Sequence, residues 1–160
     1  MTLRLPYWKH SPGAYQAMME VEKALHAGGV DHKLLHLLKL RVSQINGCAY
    51  CIDMHWKDCR AAGESEQRLY SLDCWRECPW YTEPERAVLA WAEAITCIAD
   101  PHVAHAMDPL YDAVRAHFDE QQTSDITWAI ASINAWNRMG IALRSEPGRY
   151  QPPKARGQQH

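Results

Sequence analysis

Apolar residues recur at three- and four-residue spacing along most of the chain, which is the spacing of one buried face on an α-helix. The first such run ends at Gly28-Gly29 and carries Ala14, Met18, Val21 and Leu25. No segment alternates apolar and polar residues over the length of a strand with turn residues on both sides. The pattern therefore predicts an all-α protein of six or seven helices.

Turn and capping residues set the expected helix boundaries in the first half of the chain. Asp31 is placed to cap a second helix. That helix is expected to end at Asn46-Gly47, because both of these residues tolerate a positive φ. A third helix is expected to begin near Cys48 and to end at Gly63. The second and third helices would then form a hairpin around Gly47.

Capping signals also predict helices in the second half of the chain. Thr82 and Glu85 form a capping box that opens one helix. Ser124 or Thr123 is expected to cap a long last helix, which starts at Ile126 and ends near residue 143.

The chain has 160 residues, of which 47% are apolar and 22% charged, and this is the composition of one globular domain. The last residues, SEPGRYQPPKARGQQH, are polar and contain Pro and Gly. We predict a helical domain over residues 1–146 and a loosely attached polar tail over residues 147–160.

The charge and hydropathy of the chain bear on its partners. A net charge of −2 gives no strong field for nucleic acid or an anionic membrane. No apolar run approaches the roughly 18 residues that a membrane span needs, and the opening MTLRLPYWKHSPG lacks the apolar core of a signal peptide. We therefore expect a cytoplasmic protein that binds neither nucleic acid nor membrane.

The chemistry is expected to lie in NGCAYCIDMHWKDC, residues 46–59. Cys48, Cys51 and His55 are three and four residues apart, so on a helix they share one face. The unpaired backbone N–H groups at a helix start lower the pKa of a thiol, and a C-x-x-C pair there readily forms a disulfide. His55 is placed to take the proton of Cys51 or to stabilise its anion.

The predicted hairpin brings His36 toward His55. At the helical rise of 1.5 Å per residue, His36 lies roughly 16 Å along one arm from the turn, and His55 about 12 Å along the other. We predict that His36 is hydrogen-bonded to His55, directly or through one water, and orients it. The alternative is that His36 only packs between the helices, with its nitrogens satisfied elsewhere.

Two other interpretations of the cysteines stay open. Cys48, Cys51, His55 and Cys59 are all acceptable zinc ligands. However, they span roughly 16 Å along one predicted helix, and a tetrahedral ion usually takes ligands from more than one element. Buried thiols also serve as small apolar core residues. Core packing is what we expect of the remaining three cysteines, Cys74, Cys78 and Cys97.

The stretch HLLKLRVSQINGCAYCIDMHWKDCRAAGESEQRLYSL, residues 36–72, resembles the core motif of the alkylhydroperoxidase D-like (AhpD-like) proteins of the carboxymuconolactone decarboxylase superfamily. The segments TEPERAVLAWAEAIT and AIASINAWNRMGIA resemble the flanking helices of that family, so the resemblance extends over most of the chain. It implies an all-α, multi-helical bundle whose central helical hairpin carries the C-x-x-C motif. It also implies assembly into homo-trimers or homo-hexamers.

The resemblance further implies an enzyme, namely a thiol-dependent peroxidase or disulfide oxidoreductase. Cys48 and Cys51 match the redox pair of the family, and His55 matches the histidine of its proton relay. The expected partners are a hydroperoxide and an external dithiol reductant of the lipoyl or thioredoxin type; no cofactor and no metal are predicted. We assign attack on the peroxide to Cys51, which is nearer His55, and expect Cys48 to be the more exposed sulfur. The helix start favours the opposite assignment, with Cys48 as the lower-pKa thiol, and this alternative stays open.

The chain departs from the family pattern at two positions. The family relay has a glutamate twelve residues before the first Cys, where this chain has His36, and AhpD has a histidine immediately before the second Cys, where this chain has Tyr50. A neutral imidazole only hydrogen-bonds an imidazolium that a carboxylate would anchor, so His36 is expected to orient His55 more weakly. A redox-sensing or zinc-binding module without turnover, and a decarboxylase-type enzyme of the superfamily, remain as alternatives.

Overall fold

A computed structural model describes residues 2–153 of the chain. Its helices, in chain order, are α1 (Tyr7–His10), α2 (Pro12–Ala27), α3 (His32–Asn46), α4 (Ala49–Ala61), α5 (Glu66–Tyr70), a 3-10 helix (Leu72–Glu77), α6 (Glu83–Thr96), α7 (Pro101–Ala104), α8 (Met107–Arg115) and α9 (Glu120–Leu143). Six of them are nine residues or longer, and no strand occurs within the described range. The prediction of an all-α fold is therefore confirmed. None of the described helices is both long and apolar enough to cross a bilayer.

Local capping chemistry sets several of the helix ends as the sequence predicts. The Asp31 side chain accepts a hydrogen bond from the backbone N–H of Lys33 and opens α3. Gly47 ends α3 in the left-handed region, with φ of 69°, which side chains other than glycine rarely adopt. Thr82 and Glu85 make both halves of the capping box that opens α6. The predicted hairpin of α3 and α4 is thus present, with its turn at Gly47.

The predicted start of the last helix is wrong. Helix α9 begins at Glu120, four to six residues earlier than the start expected from Thr123, Ser124 and Ile126. Asp119 is the cap, because its side chain accepts from the backbone N–H of Gln122 and the Gln122 side chain accepts from the backbone N–H of Asp119. This reciprocal pair is one turn ahead of the Ser and Thr that were expected to cap the helix.

Helix α3 lies at the centre of the fold and packs against α4, α6 and α9. Its buried residues feed two apolar clusters, one on each side. The first joins α3 to α2, α6, α8 and α9 and includes Leu38, Val42, Val88, Ile126 and Ile130. The second joins α3 to α4, α5, the 3-10 helix and α6 and includes Leu37, Leu40, Leu69, Leu72 and Leu89. Because α3 is held on both sides, the end that carries Gly47 is a fixed platform for the cysteines of α4.

The cysteines outside the motif divide between core and surface. Cys59 and Cys78 are buried in the second cluster, as core packing predicts. Cys74 and Cys97 are exposed, so the prediction is wrong for these two. Cys97 follows the last residue of α6 as its C-cap, beyond the turns that pack on the core, whereas Cys74 lies in the short 3-10 helix.

The segment after α9 returns to α4. The backbone N–H of Gly148 donates to the Asp53 carboxylate at 2.9 Å, and the Lys57 ammonium donates to the carbonyl oxygens of Gly148 and Tyr150 at 3.3 and 3.0 Å. The expected loose attachment is therefore wrong for residues 148–150, because side chains of α4 bind their backbone. Residues 154–160 of the predicted tail lie outside the described range, and the domain boundary at residue 146 stays a prediction.

Candidate active site

Cys48 and Cys51 form a disulfide at the turn between α3 and α4, with their Cα atoms 5.3 Å apart. Cys48 is the N-cap of α4, and Cys51 lies in the first turn. The Cys48 Sγ accepts a hydrogen bond from the backbone N–H of Cys51, at 3.3 Å. The start of α4 therefore directs an N–H group at this sulfur, and such a contact favours the thiolate once the disulfide is reduced.

Helix α9 covers both sulfurs at Gly140. A Cβ atom at Gly140 would stand 3.1 Å from Cys48 Sγ and 3.5 Å from Cys51 Sγ, so the absence of a side chain lets the helix pass this close. Cys48 is 1% exposed and Cys51 is 2% exposed. The prediction that Cys48 is the more exposed sulfur is therefore wrong, because α9 lies over it.

His55 lies one turn beyond Cys51 on α4 and is buried. Neither of its ring nitrogens has a hydrogen-bond partner in the part of the chain that the structure describes. Its Nδ1 is 3.6 Å from Asp58 Oδ2, which is too long for a hydrogen bond. Burial lowers the pKa of His55, with Asp58 opposing the shift, so the ring is neutral at pH 7.

His36, on α3, lies close to His55 and Asp58. One donor atom from each of His36, His55 and Asp58 lies within 4.8 Å of the others. Burial lowers the pKa of His36 to about 4, with Asp58 opposing the shift and His55 adding to it. The hairpin thus brings His36 close to His55, but no direct hydrogen bond joins them within the described residues, since both His55 nitrogens lack a partner. The link through one water stays a prediction.

Asp58 is held in place from the C-terminal segment. The Tyr150 hydroxyl donates to Asp58 Oδ1 at 2.7 Å, which leaves Oδ2 facing His55. Burial opposes ionisation of Asp58, but the His55 ring and the Tyr150 hydroxyl that face the carboxylate hold its pKa below the ordinary value. The group therefore contains one anion and two neutral imidazoles at neutral pH.

A cavity of about 400 Å³ opens beside these residues. Cys51, His55, His36 and Asp58 all form part of its wall. Much of the remaining wall is aromatic or thioether surface from Tyr7, Tyr15, Tyr50, Trp136, Tyr150, Met19 and Met54. Cys51 is therefore the sulfur of the pair that faces a space large enough for a small organic molecule.

A buried ion pair lies on another side of the cavity. The Lys39 ammonium binds Glu22 Oε2, and Glu22 Oε1 accepts from Ser132 Oγ at 2.8 Å and from Trp136 Nε1 at 3.0 Å. Burial alone would raise the pKa of Glu22, but Lys39 and these two donors hold it below the ordinary value. The two opposite charges neutralise one another at the cavity wall.

Cys59 does not join the other residues of the proposed four-residue zinc set. It packs with Leu37, Leu40 and Leu69 in the second apolar cluster, and burial raises the pKa of its thiol to about 12. Cys48 and Cys51 are meanwhile bonded to each other. The structure therefore separates Cys59 from the cavity that Cys51 and His55 share.

The sequence matches a known family over half of its length. Residues 12–94 match the model of the carboxymuconolactone decarboxylase family. The chain is 43% identical to the uncharacterized protein YdfG of Bacillus subtilis (strain 168) over 143 residues, which are 89% of this chain and 95% of YdfG. It is 30% identical to the uncharacterized protein YnjA of Escherichia coli (strain K12) over 115 residues, which are 71% of this chain and 60% of YnjA. The chain belongs to the carboxymuconolactone decarboxylase family.

Solved structures place the chain within that family. The crystal structure of a protein of unknown function from Agrobacterium tumefaciens, suggested to be the antioxidant defence protein AhpD, has a TM-score of 0.86 and 43% identity, covering 93% of this chain and 100% of that one. An uncharacterized peroxidase-related protein with an AhpD core from Ralstonia eutropha JMP134 has a TM-score of 0.75 over 89% of this chain and 74% of its own. At 20% identity that second match shows the fold alone. The chain is an AhpD-like member of the family, as its motif predicts.

The sequence analysis did not predict three residues of the site, Asp58, Gly140 and Tyr150. Asp58 follows His55 by three residues, so its position on the same helix face was a usable signal. Gly140 and Tyr150 carry no comparable signal, because both reach the site from the end of the chain through the fold.

Proposed function

We propose that this protein is a thiol-dependent peroxidase, a disulfide oxidoreductase that reduces hydroperoxides through the Cys48–Cys51 pair with His55 as its proton acceptor. The observation that carries the proposal is that Cys51, half of a disulfide, and His55 share the wall of a cavity of about 400 Å³. A thiol beside a neutral imidazole has its nucleophile and base together. Membership of the AhpD-like group supports the same conclusion.

The reaction begins with the reduced pair. His55 takes the proton of Cys51, and the thiolate attacks one oxygen of the hydroperoxide. The S–O bond forms as the O–O bond breaks, so Cys51 becomes a sulfenic acid and the departing alkoxide takes the proton from His55 to leave as an alcohol. The Cys48 thiol then condenses with the sulfenic acid, which gives the disulfide and one water. An external dithiol reduces that disulfide and is itself oxidised to a disulfide.

Cys51 is the better candidate for attack because it faces the cavity and His55, whereas Cys48 lies beneath Gly140. The burial of both sulfurs also bears on the reductant. A dithiol must reach Cys51 through the cavity, which a slender arm of the lipoyl type does more easily than the surface of a thioredoxin-like protein. We therefore favour a lipoyl-type donor.

Two further properties complete the proposal. Large apolar side chains stand exposed at Tyr70 (65%), Ile98 (63%) and Trp128 (59%), and contacts between subunits would cover apolar surface of this kind. We propose a homo-oligomer, with a trimer or hexamer favoured. A cytoplasmic location suits the chemistry, since reducing conditions there return a disulfide to its thiols.

The experiment is peroxide consumption by the reduced protein, with dihydrolipoyl and thioredoxin-type donors compared. Cys51→Ser should abolish turnover, and Cys48→Ser should leave Cys51 as a sulfenic acid that a dimedone-type reagent labels. Cys97→Ser is the matched control, since it removes an exposed cysteine outside the pair, and it should keep full turnover.

Three results would count against this account. Sulfenic acid trapped in Cys51→Ser but not in Cys48→Ser would reverse the roles of the two sulfurs. Peroxide turnover that survives the double replacement of Cys48 and Cys51 would refute thiol chemistry. A disulfide that forms and is reduced without sustained peroxide consumption would identify a redox sensor instead.

A further inference from the structure

The group formed by His36, His55 and Asp58 has the composition of a metal site. Each residue offers one donor atom, and these atoms all lie within 4.8 Å of one another. Two imidazoles and one carboxylate are the donor set of many catalytic zinc sites and non-haem iron sites, which leave further positions open to water or substrate. From this geometry we infer that the protein binds a divalent transition-metal ion of the zinc class at His36, His55 and Asp58.

A second observation points to the same ligand. His36 Nδ1 and both ring nitrogens of His55 have no hydrogen-bond partner within residues 2–153. The His55 side chain is nevertheless buried, with 5% of the residue exposed. Buried polar atoms are nearly always bonded, because leaving one unpaired forfeits its hydration without replacement. An ion between the rings would bond one nitrogen of each ring, so that His55 would keep only one unbonded nitrogen.

The distance between His55 and Asp58 suits coordination better than hydrogen bonding. His55 Nδ1 and Asp58 Oδ2 are 3.6 Å apart. The donor atoms of a tetrahedral ion with bonds of roughly 2.0–2.2 Å stand about 3.4 Å from each other. Asp58 Oδ1 already accepts from the Tyr150 hydroxyl at 2.7 Å, so Oδ2 is the free donor. An outer hydrogen bond of this kind commonly orients a carboxylate that binds a metal.

The surrounding charges also permit a cation. The nearby ammonium of Lys39 is paired with Glu22, so its repulsion is largely cancelled. Metal binding requires neutral imidazoles and an ionised carboxylate, and these are the forms that the burial of His36 and His55 and the partners of Asp58 favour at neutral pH. No ligand has to lose a proton when the ion enters.

The inferred site shares only His55 with the cysteine-based zinc set, and it needs no reduced thiol. The disulfide form has no thiolate at Cys48 or Cys51, yet it keeps all three donors of the inferred site. An ion there occupies a nitrogen of His55 and removes the proton acceptor of the peroxidase reaction. Inhibition of peroxide reduction by the ion rests on the proposed function, whereas binding of the ion does not.

The test uses the full chain in its disulfide form, stripped with a chelator and titrated separately with Zn²⁺ and Co²⁺. We expect one ion per chain by equilibrium dialysis and, for Co²⁺, a visible spectrum of nitrogen and oxygen coordination. Asp58→Asn and His36→Ala should each weaken binding by more than about 100-fold, beyond the 10- to 100-fold that an outer partner of a ligand contributes. Tyr150→Phe removes such an outer partner, so it should weaken metal binding by only about 10- to 100-fold.

Matched controls separate this donor set from other histidines and from the thiols. His26→Ala changes a histidine of the same cavity, whose ring centroid is 5.8 Å from that of His36, and should keep the wild-type affinity. Mg²⁺ should not compete, because it prefers oxygen ligands. Circular dichroism and melting curves establish that each variant is folded.

Three outcomes would overturn the inference. They are absence of one-to-one binding in the wild type, unchanged affinity in a folded Asp58→Asn protein, and loss of binding when Cys48 and Cys51 are both replaced by serine. Because binding is measured without peroxide or reductant, its failure leaves the peroxidase proposal standing. Failure of peroxide consumption in the metal-free protein leaves the ion site standing in turn.

Discussion

Gly140→Ala is the substitution for which the structure makes the sharpest prediction. It places a methyl group 3.1 Å from Cys48 Sγ and 3.5 Å from Cys51 Sγ. Non-bonded heavy atoms are best separated by about 3.5–4.0 Å, so the Cys48 contact is repulsive. In the disulfide form that sulfur is tied to Cys51 and cannot rotate away. In the reduced form the Cys48 thiol is free to change rotamer, and the repulsion is relieved.

Two opposing effects decide how much Gly140→Ala changes the free energy of unfolding. Overpacking a filled site typically costs about 1–3 kcal/mol. Replacing glycine by alanine within a helix gains about 1 kcal/mol, and Gly140 lies inside α9. The oxidised protein should therefore lose about 0–2 kcal/mol of unfolding free energy, while the reduced protein gains up to about 1 kcal/mol. The difference between the two forms, about 1–3 kcal/mol, corresponds to a reduction potential roughly 20–60 mV more oxidising than in the wild type.

The assay compares melting temperatures of the oxidised and reduced proteins and then equilibrates each with a glutathione or lipoyl redox buffer. For a chain of this size, 1 kcal/mol shifts the melting temperature by about 2–4 °C. Gly13→Ala is the control, because a Cβ at Gly13 on α2 meets nothing within 4 Å, and it should move both forms equally. Equal shifts of the oxidised and reduced forms in Gly140→Ala would refute the reasoning, since they would show that α9 does not press on the disulfide.

Three further predictions concern the ion pair, the relay and the assembly. Glu22→Gln leaves Lys39 buried without its partner and should cost about 3–5 kcal/mol at pH 7 in urea unfolding. Because the pKa of Glu22 is below 4.5 in the folded protein, this advantage of the wild type is present above about pH 4.5 and should shrink as the pH falls further; a constant gap down to pH 3 would contradict it. In metal-free protein, His36→Ala should slow the reaction of the thiol with peroxide by about 10- to 100-fold, while the exposed His32→Ala should not; equal rates would remove His36 from the relay. Light scattering should give three or six times the chain mass, and a mass near 18.3 kDa at micromolar concentration would show a monomer.

The parts of the fold that the sequence predicts correctly depend on contacts between near neighbours. The Asn46-Gly47 turn and the Thr82–Glu85 capping box are each complete within a few residues, so the sequence alone specifies them. The start of α9 shows the limit of such evidence. Asp119, Thr123 and Ser124 are all good cap residues, and the choice falls to Asp119 because Gln122 returns its hydrogen bond.

The site divides in the same way. Spacing along α4 correctly places Cys51 and His55 at one cavity wall, and the arm lengths of the hairpin bring His36 near His55. The sequence does not predict that Gly140 lies over the sulfurs or that Tyr150 binds Asp58. Both residues are about 90 positions away in sequence, and the packing of α9 on α3 and α4 brings them to the site. The prediction that Cys48 is the more exposed sulfur was wrong because α9 lies over it.

The histidine at position 36 changes the electrostatics of the group more than it changes its geometry. A glutamate there, as in the family relay, would face the ionised Asp58 across a few ångströms, and like charges at that distance raise one carboxyl pKa. With His36 the group has one anion and two neutral rings, and Asp58 Oδ2 stays 3.6 Å from the nearest nitrogen of His55. A positive charge is what this arrangement lacks. In the proposed mechanism the reduced Cys51 thiol supplies it as a proton transferred to His55, whereas the inferred divalent ion would supply it whether or not the disulfide is formed. Measuring ion binding in the disulfide form therefore separates the two, because no thiol proton is present in that form.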